Sequence, residues 1–173
     1  MNQRCVVRHG PPQSTNLCYG WLDVPLAETP HTTAERLRAS LPAWALARQT
    51  PLWSSPSERC LDLAKALAEG RSVQTDPRLR ELHFGDWEGL PWDQIDRTLL
   101  DAWAADPYGF QMPAGESVPH FIARCQAVWS DLPPQALIIT HAGVIRSWWH
   151  LIQKAPLTEA FGRTVGYGEV VQF

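Results

Sequence analysis

Ala136-Leu137-Ile138-Ile139-Thr140, followed at once by His141-Ala142-Gly143, decides how this chain folds. The first five residues carry no charge and read as a strand buried on both faces. The three that follow turn into a helix whose apolar residues Ile145, Trp148 and Ile152 share one face. Working outward, the same pattern recurs. Cys5-Val6-Val7 is a short buried strand within a start, Met1 to His9, that reads as strand throughout and is stopped by Gly10-Pro11-Pro12. Leu52-Trp53-Ser54 is a second strand, and Ser57 caps a helix with Leu61, Ala64, Leu67 and Ala68 on one face, ending at Gly70. Val73 lies in a third brief strand, and Glu169 to Phe173 forms a last one.

Further helices fill the gaps. Thr32 or Thr33 can cap one bearing Leu37 and Leu41, and Pro42 kinks it or starts another. Trp92, Ile95, Leu99 and Trp103 predict a helix ending near Asp106-Pro107, and Phe121, Cys125, Val128 and Leu132 one closed by Pro133-Pro134. Glu81 to Gly89 reads as a loop pivoting on Gly85 and Gly89. Strands alternating with helices predict an α/β fold: a three-layer αβα sandwich with a mostly parallel central sheet. No linker, repeat or low-complexity tract interrupts the 173 residues, so one domain over 1–173 is expected.

Composition narrows the function classes. Fifteen Lys+Arg against eighteen Asp+Glu give a net charge of −3, with a hydrophobic fraction of 45%. That balance excludes a disordered chain and argues against a nucleic-acid binder, which carries a basic excess. Thirteen of the fifteen basic residues are Arg, so an anion site must be a local Arg cluster. No stretch matches the roughly 18–20 apolar residues of a membrane span, and the start lacks the features of a signal peptide. A cytoplasmic protein is therefore expected, with Cys5, Cys18, Cys60 and Cys125 reduced and mostly buried; one disulfide is the alternative.

In an open α/β sheet, ligands bind beyond the carboxyl ends of the strands. Three such ends are polar here: Arg8-His9-Gly10, Ser54-Ser55-Pro56-Ser57-Glu58-Arg59 and His141-Ala142-Gly143. If the three strands are neighbours, two His and two Arg converge. That set suits a phosphate, whose oxygens accept hydrogen bonds from guanidinium forks and from a helix N-terminus. His31, His120 and His150 have no such company and read as structural. His83, inside the Glu81–Gly89 loop, reads as pocket wall or structural. The chain has no H-E-x-x-H, no Cys/His cluster and no Gly-rich nucleotide motif, so neither metal nor cofactor is expected.

Taken in order, these segments resemble the histidine phosphatase superfamily, with its phosphoglycerate mutase-like fold. Leu79-Arg80-Glu81-Leu82-His83-Phe84-Gly85-Asp86-Trp87-Glu88-Gly89 is similar to that family's acid-bearing loop, and Gly115-Glu116-Ser117 to another of its motifs. The likeness covers nearly the whole chain. It implies hydrolysis of a small-molecule phosphate monoester through a phosphohistidine. His9 would be the nucleophile, Arg8, Arg59 and, if protonated, His141 the charge stabilisers, and Glu81 the general acid. Glu88 is the rival acid, and its other reading is a loop carboxylate beside Trp87. The family's phosphate-contacting Asn corresponds to Asn16, displaced by one place after Pro11-Pro12, with Thr15 as its rival. Cys18-Tyr19-Gly20 with Asp23-Val24-Pro25-Leu26 resembles the α-ribazole phosphatase branch, which implies α-ribazole 5′-phosphate as substrate and a role in assembling the cobalamin lower ligand. Tyr19 and Trp21 would stack on its flat base, or else pack the loop onto the domain. The chain lacks the long insertions of the mutases, which disfavours mutase activity. A broad-specificity phosphatase and a non-catalytic phospho-ligand-binding member remain the alternatives, and the oligomeric state is left open.

Overall fold

The computed structural model describes residues 3–173; Met1 and Asn2, the first residues of the expected opening strand, lie outside them. The elements run β1 (Gln3–Arg8), α1 (Pro30–Ser40), α2 (Ala43–Leu46), β2 (Leu52–Ser54), α3 (Glu58–Ala68) and β3 (Val73–Thr75). There follow α4 (Arg97–Ala105), α5 (Val118–Asp131), β4 (Gln135–Thr140), α6 (Ala142–Leu151), α7 (Leu157–Gly162) and β5 (Val170–Gln172).

The strands form one sheet in the order β3-β2-β4-β1-β5. β1 to β4 are parallel, and β5 is the antiparallel edge beside β1. Alternate residues of each strand face opposite sides of a sheet. Val6 and Ile138 accordingly join the core under α5 and α6, with Phe121, Cys125, Ile145 and Trp148. Cys5, Val7, Leu137 and Ile139 join the core under α1 and α3, with Leu37, Leu63 and Leu67. Both faces of β1 and β4 are covered, which is why those strands read as uninterrupted apolar runs. The result is the expected α/β sandwich with a mostly parallel sheet.

Several local expectations are corrected. Thr29, not Thr32 or Thr33, caps α1: its hydroxyl accepts from the Thr32 N–H, and Pro30 takes the first turn, where no N–H is needed. Ser57 holds the N-cap position of α3 without a side-chain bond; the first free N–H, on Glu58, donates instead to Asp23 Oδ1 at 2.9 Å. Leu61 is only half-buried, and Arg59, Cys60 and Leu63 fill the buried face with Ala64, Leu67 and Ala68. The helix expected from Trp92 is two pieces. A 3₁₀ turn spans Trp92–Gln94, and Asp96 caps α4 through the Thr98 and Leu99 N–H groups. On α6, Ile145 and Trp148 are buried but Ile152 lies past the helix end and is exposed. All four cysteines are free and buried, and burial pushes each thiol up to about 12. Among the described residues no helix is long and apolar enough to cross a membrane.

Candidate active site

β2, β4 and β1 lie side by side and point the same way, so their carboxyl ends share one edge. The ladder runs one residue beyond the strands. The His9 N–H donates to the Thr140 carbonyl at 3.0 Å, and the Ser55 N–H to the Ile139 carbonyl at 2.9 Å. His9, Ser55 and His141 are thereby fixed on rigid backbone before any side-chain contact is made.

His9 is 2% exposed. Its Nδ1 lies 2.8 Å from the Gly10 carbonyl oxygen. A carbonyl can only accept, so Nδ1 carries the proton and Nε2 keeps its lone pair. Burial, then the nearby charge of Arg59 and of Arg8, holds the ring well below the usual imidazole range, although the Gly10 bond acts the other way. Its ring centroid is 5.2 Å from that of His141.

His141 is fully buried, and Arg59 Nη2 lies 3.3 Å from its Nδ1. A guanidinium only donates, so Nδ1 accepts and Nε2–H donates to Ser55 Oγ at 2.9 Å. Burial first, then Arg59 and His9, push this ring well below the usual range too. The surroundings of His141 thus favour its neutral form over the imidazolium. Arg59 supplies the positive charge. Its guanidinium also donates to the carbonyls of Gly20 and Leu22, lies 3.3 Å from Asp23 Oδ1, and leaves Nε buried without a partner. The loop that precedes α1 is therefore wound around Arg59.

Glu81 lies across the start of α6. One carboxylate oxygen accepts the Gly143 N–H at 3.0 Å, the other that of Leu82 at 3.2 Å. A Cβ on Gly143 would stand 2.1 Å from Glu81 Oε1, so only glycine lets the carboxylate sit there. Glu88 is used otherwise. It accepts from the backbone N–H groups of Trp21, Leu22 and Phe84 and pins two loops together. His83 packs on Trp21, with ring centroids 4.6 Å apart.

A cavity of about 220 Å³ collects Arg8, His9, Arg59, Glu81 and His141 on its walls. Thr15, Leu17 and Tyr19 line it as well, and Asn16 does not. Leu17 forms an antiparallel bridge with Pro91, and the Asn16 carbonyl accepts from the Trp92 N–H. Thr15, Leu17 and Tyr19 thus face the cavity, while Asn16, in the bend before the Leu17 bridge, is exposed. Trp21 is also turned away; its indole N–H donates to the Glu81 carbonyl at 2.9 Å.

Two polar wall residues had not been singled out. Arg146 lies four residues after Ala142 on α6, on the same helical face, a spacing that could have found it. Tyr167 arrives because β5 runs antiparallel to β1, which puts the start of β5 beside the end of β1. Its ring stacks under the Arg8 guanidinium at 3.6 Å, and its hydroxyl meets that of Tyr19 at 3.1 Å. Three arginines against one carboxylate make a local anion site in an acidic protein. Among the described residues no three His, Cys, Asp or Glu side chains group to hold a metal ion.

Comparison with known proteins agrees with this fold. The chain is 32% identical over 162 residues to glucosyl-3-phosphoglycerate phosphatase of Mycolicibacterium vanbaalenii, covering 81% of this chain and 69% of that one. It is 31% identical over 157 residues to adenosylcobalamin/alpha-ribazole phosphatase of Salmonella typhimurium, covering 81% and 74%. The solved structure of mycobacterial glucosyl-3-phosphoglycerate phosphatase superposes with a TM-score of 0.82 at 27% identity, over 99% of this chain and 89% of that one. Residues 5–173 match the histidine phosphatase superfamily (branch 1), and the chain belongs to that family.

Proposed function

We propose that this protein hydrolyses phosphate monoesters through a phosphohistidine on His9, with Glu81 as general acid and then base. The observation that carries the reading is the locked tautomer of His9, with its Nε2 lone pair on a cavity shared by Arg8, Arg59, Arg146 and Glu81. His9 Nε2 attacks phosphorus as the ester P–O bond breaks. The Glu81 carboxyl gives its proton to the departing oxygen. A water then attacks phosphorus, Glu81 takes its proton, and the N–P bond breaks to release phosphate. Arg8, Arg59 and Arg146 face the charge on the equatorial oxygens, the main demand of phosphoryl transfer. The Nε2–H of His141, which faces Ser55 Oγ, is the donor it offers there, and Thr15, in place of Asn16, offers a hydroxyl.

The finer reading is α-ribazole 5′-phosphate. It is supported by the similarity to adenosylcobalamin/alpha-ribazole phosphatase and by the aromatic rings of Tyr19, Phe84 and Trp92 on the cavity wall. The loop likeness supports it less, because Cys18 is buried, Gly20 presses on the Leu82 carbonyl, and Asp23 serves Arg59 and α3. Similarity to glucosyl-3-phosphoglycerate phosphatase favours a sugar-acid ester as the second reading.

The test compares kcat/KM for α-ribazole 5′-phosphate, glucosyl-3-phosphoglycerate, 3-phosphoglycerate and a nucleoside monophosphate. A tenfold preference, about 1.4 kcal/mol of transition-state discrimination, assigns the substrate. Equal rates indicate a broad-specificity enzyme. Inertness toward all four and toward aryl phosphates leaves a phospho-ligand-binding member. Glu81→Gln is expected to slow alkyl esters by about 10²–10⁴ and aryl esters far less. If Glu88→Gln shows that pattern instead, the two roles are exchanged.

A further inference from the structure

The phosphate cavity does not end at Glu81. A second cavity of about 120 Å³ shares Glu81, Phe84 and Arg146 with it. Its other walls are apolar: Trp103 of α4, Val118 and Phe121 of α5, Phe161 of α7. A third cavity, of about 240 Å³, shares Pro107, Val118 and Phe161 with the second and continues to Tyr108 and Leu157. Together they form a trough leading away from the general acid. Among the described residues its only charged lining beyond Glu81 and Arg146 is Asp106, whose carboxylate accepts the Gly109 N–H at 2.9 Å.

Val118 and Phe121 are buried, but the rest of the wall stays partly open, with Trp103, Leu157 and Phe161 only half-buried. α4 has no buried residue, α7 buries only Ala160, and Tyr108 is 50% exposed. Apolar surface left open beside a reaction centre has a use if a ligand covers it. The ligand is identified by position. In phosphoryl transfer the attacking and leaving oxygens lie in line, so the leaving oxygen stands beside the acid that protonates it. The carbon attached to that oxygen then starts where the second cavity opens.

We propose that this trough binds the alcohol part of the substrate, and that the preferred phosphomonoesters carry on that alcohol an extended apolar group, an alkyl chain or hydrophobic ring system. The inference rests on the phosphohydrolase reading and narrows its substrate class.

Monoalkyl phosphates from ethyl to octyl test it, since their leaving groups differ little in reactivity. kcat/KM is expected to rise about fourfold per methylene until the trough is filled. The alkylphosphonates of the same lengths, which cannot be hydrolysed, are expected to inhibit with Ki values falling by the same factor. Phe161→Asp should flatten both series. Hydrolysis with no dependence on chain length, or phosphonate affinities that do not change with length, overturns the inference and leaves the phosphohydrolase reading intact. Length-dependent phosphonate binding without turnover of any ester supports the ligand class and overturns the hydrolase.

Discussion

His9 is placed by its neighbours more than by its own chemistry. Gly10 takes its Nδ1 proton, β4 takes its backbone N–H, and burial with Arg59 keeps the ring neutral. A neutral imidazole is the nucleophilic form, so burial favours the form that can attack phosphorus. The ring NMR signals of His9 and His141 in the free protein should hold still as pH falls through 6.5. A midpoint at or above 6.5 for either would contradict the burial argument. At this scale the sequence carried much of the site: Arg8, His9, Arg59, Glu81 and His141 all reach one cavity. Asn16 and Thr15 could not be separated without knowing that Leu17 bridges Pro91 and that the Asn16 carbonyl is held by the Trp92 N–H. The charge state of His141 was equally hidden, because it depends on Arg59, 82 residues away in the chain.

At the scale of elements, the start of α6 and the Glu81 loop act as one device. The helix N-terminus offers the Gly143 N–H to a carboxylate, and the missing Cβ leaves room for it. Gly143→Ala should displace Glu81 and lower kcat for alkyl phosphates tenfold or more, with a smaller effect on aryl phosphates. Thermal stability should be unchanged or raised, since alanine suits a helix better than glycine by about 0.5–1 kcal/mol. Unaltered turnover with both ester types would show that Glu81 does not depend on this contact. β1, β2, β4 and the helices α3, α5 and α6 were legible because buried runs and apolar stripes are local signals. α7 has six residues with one buried, too short for a stripe, and the antiparallel direction of β5 is fixed by its partner and not by its own sequence.

For the whole molecule, the net charge of −3 hides a basic centre. Folding buries two imidazoles next to Arg59 and pays for it in pH dependence. Both rings are held below 6.5 in the fold and return to about 6.5 when the chain unfolds. Below that value the unfolded chain binds more protons, so stability falls as pH falls from 6.5 toward the lowered folded values. The melting temperature should therefore drop between pH 7 and pH 5, before most carboxylates titrate. The slope should lessen when His9 and His141 are both replaced by Asn; an unchanged slope would place the dependence elsewhere.

The central claim is that the strand-end constellation delivers a phosphoryl group to His9. Rapid quench of the enzyme with a labelled phosphomonoester, followed by peptide mapping, measures this directly. Acid-labile phosphate on the peptide containing His9, absent from His9→Ala, is the predicted result. Label on another residue, or steady turnover with no labelled protein and full activity in His9→Ala, would contradict it.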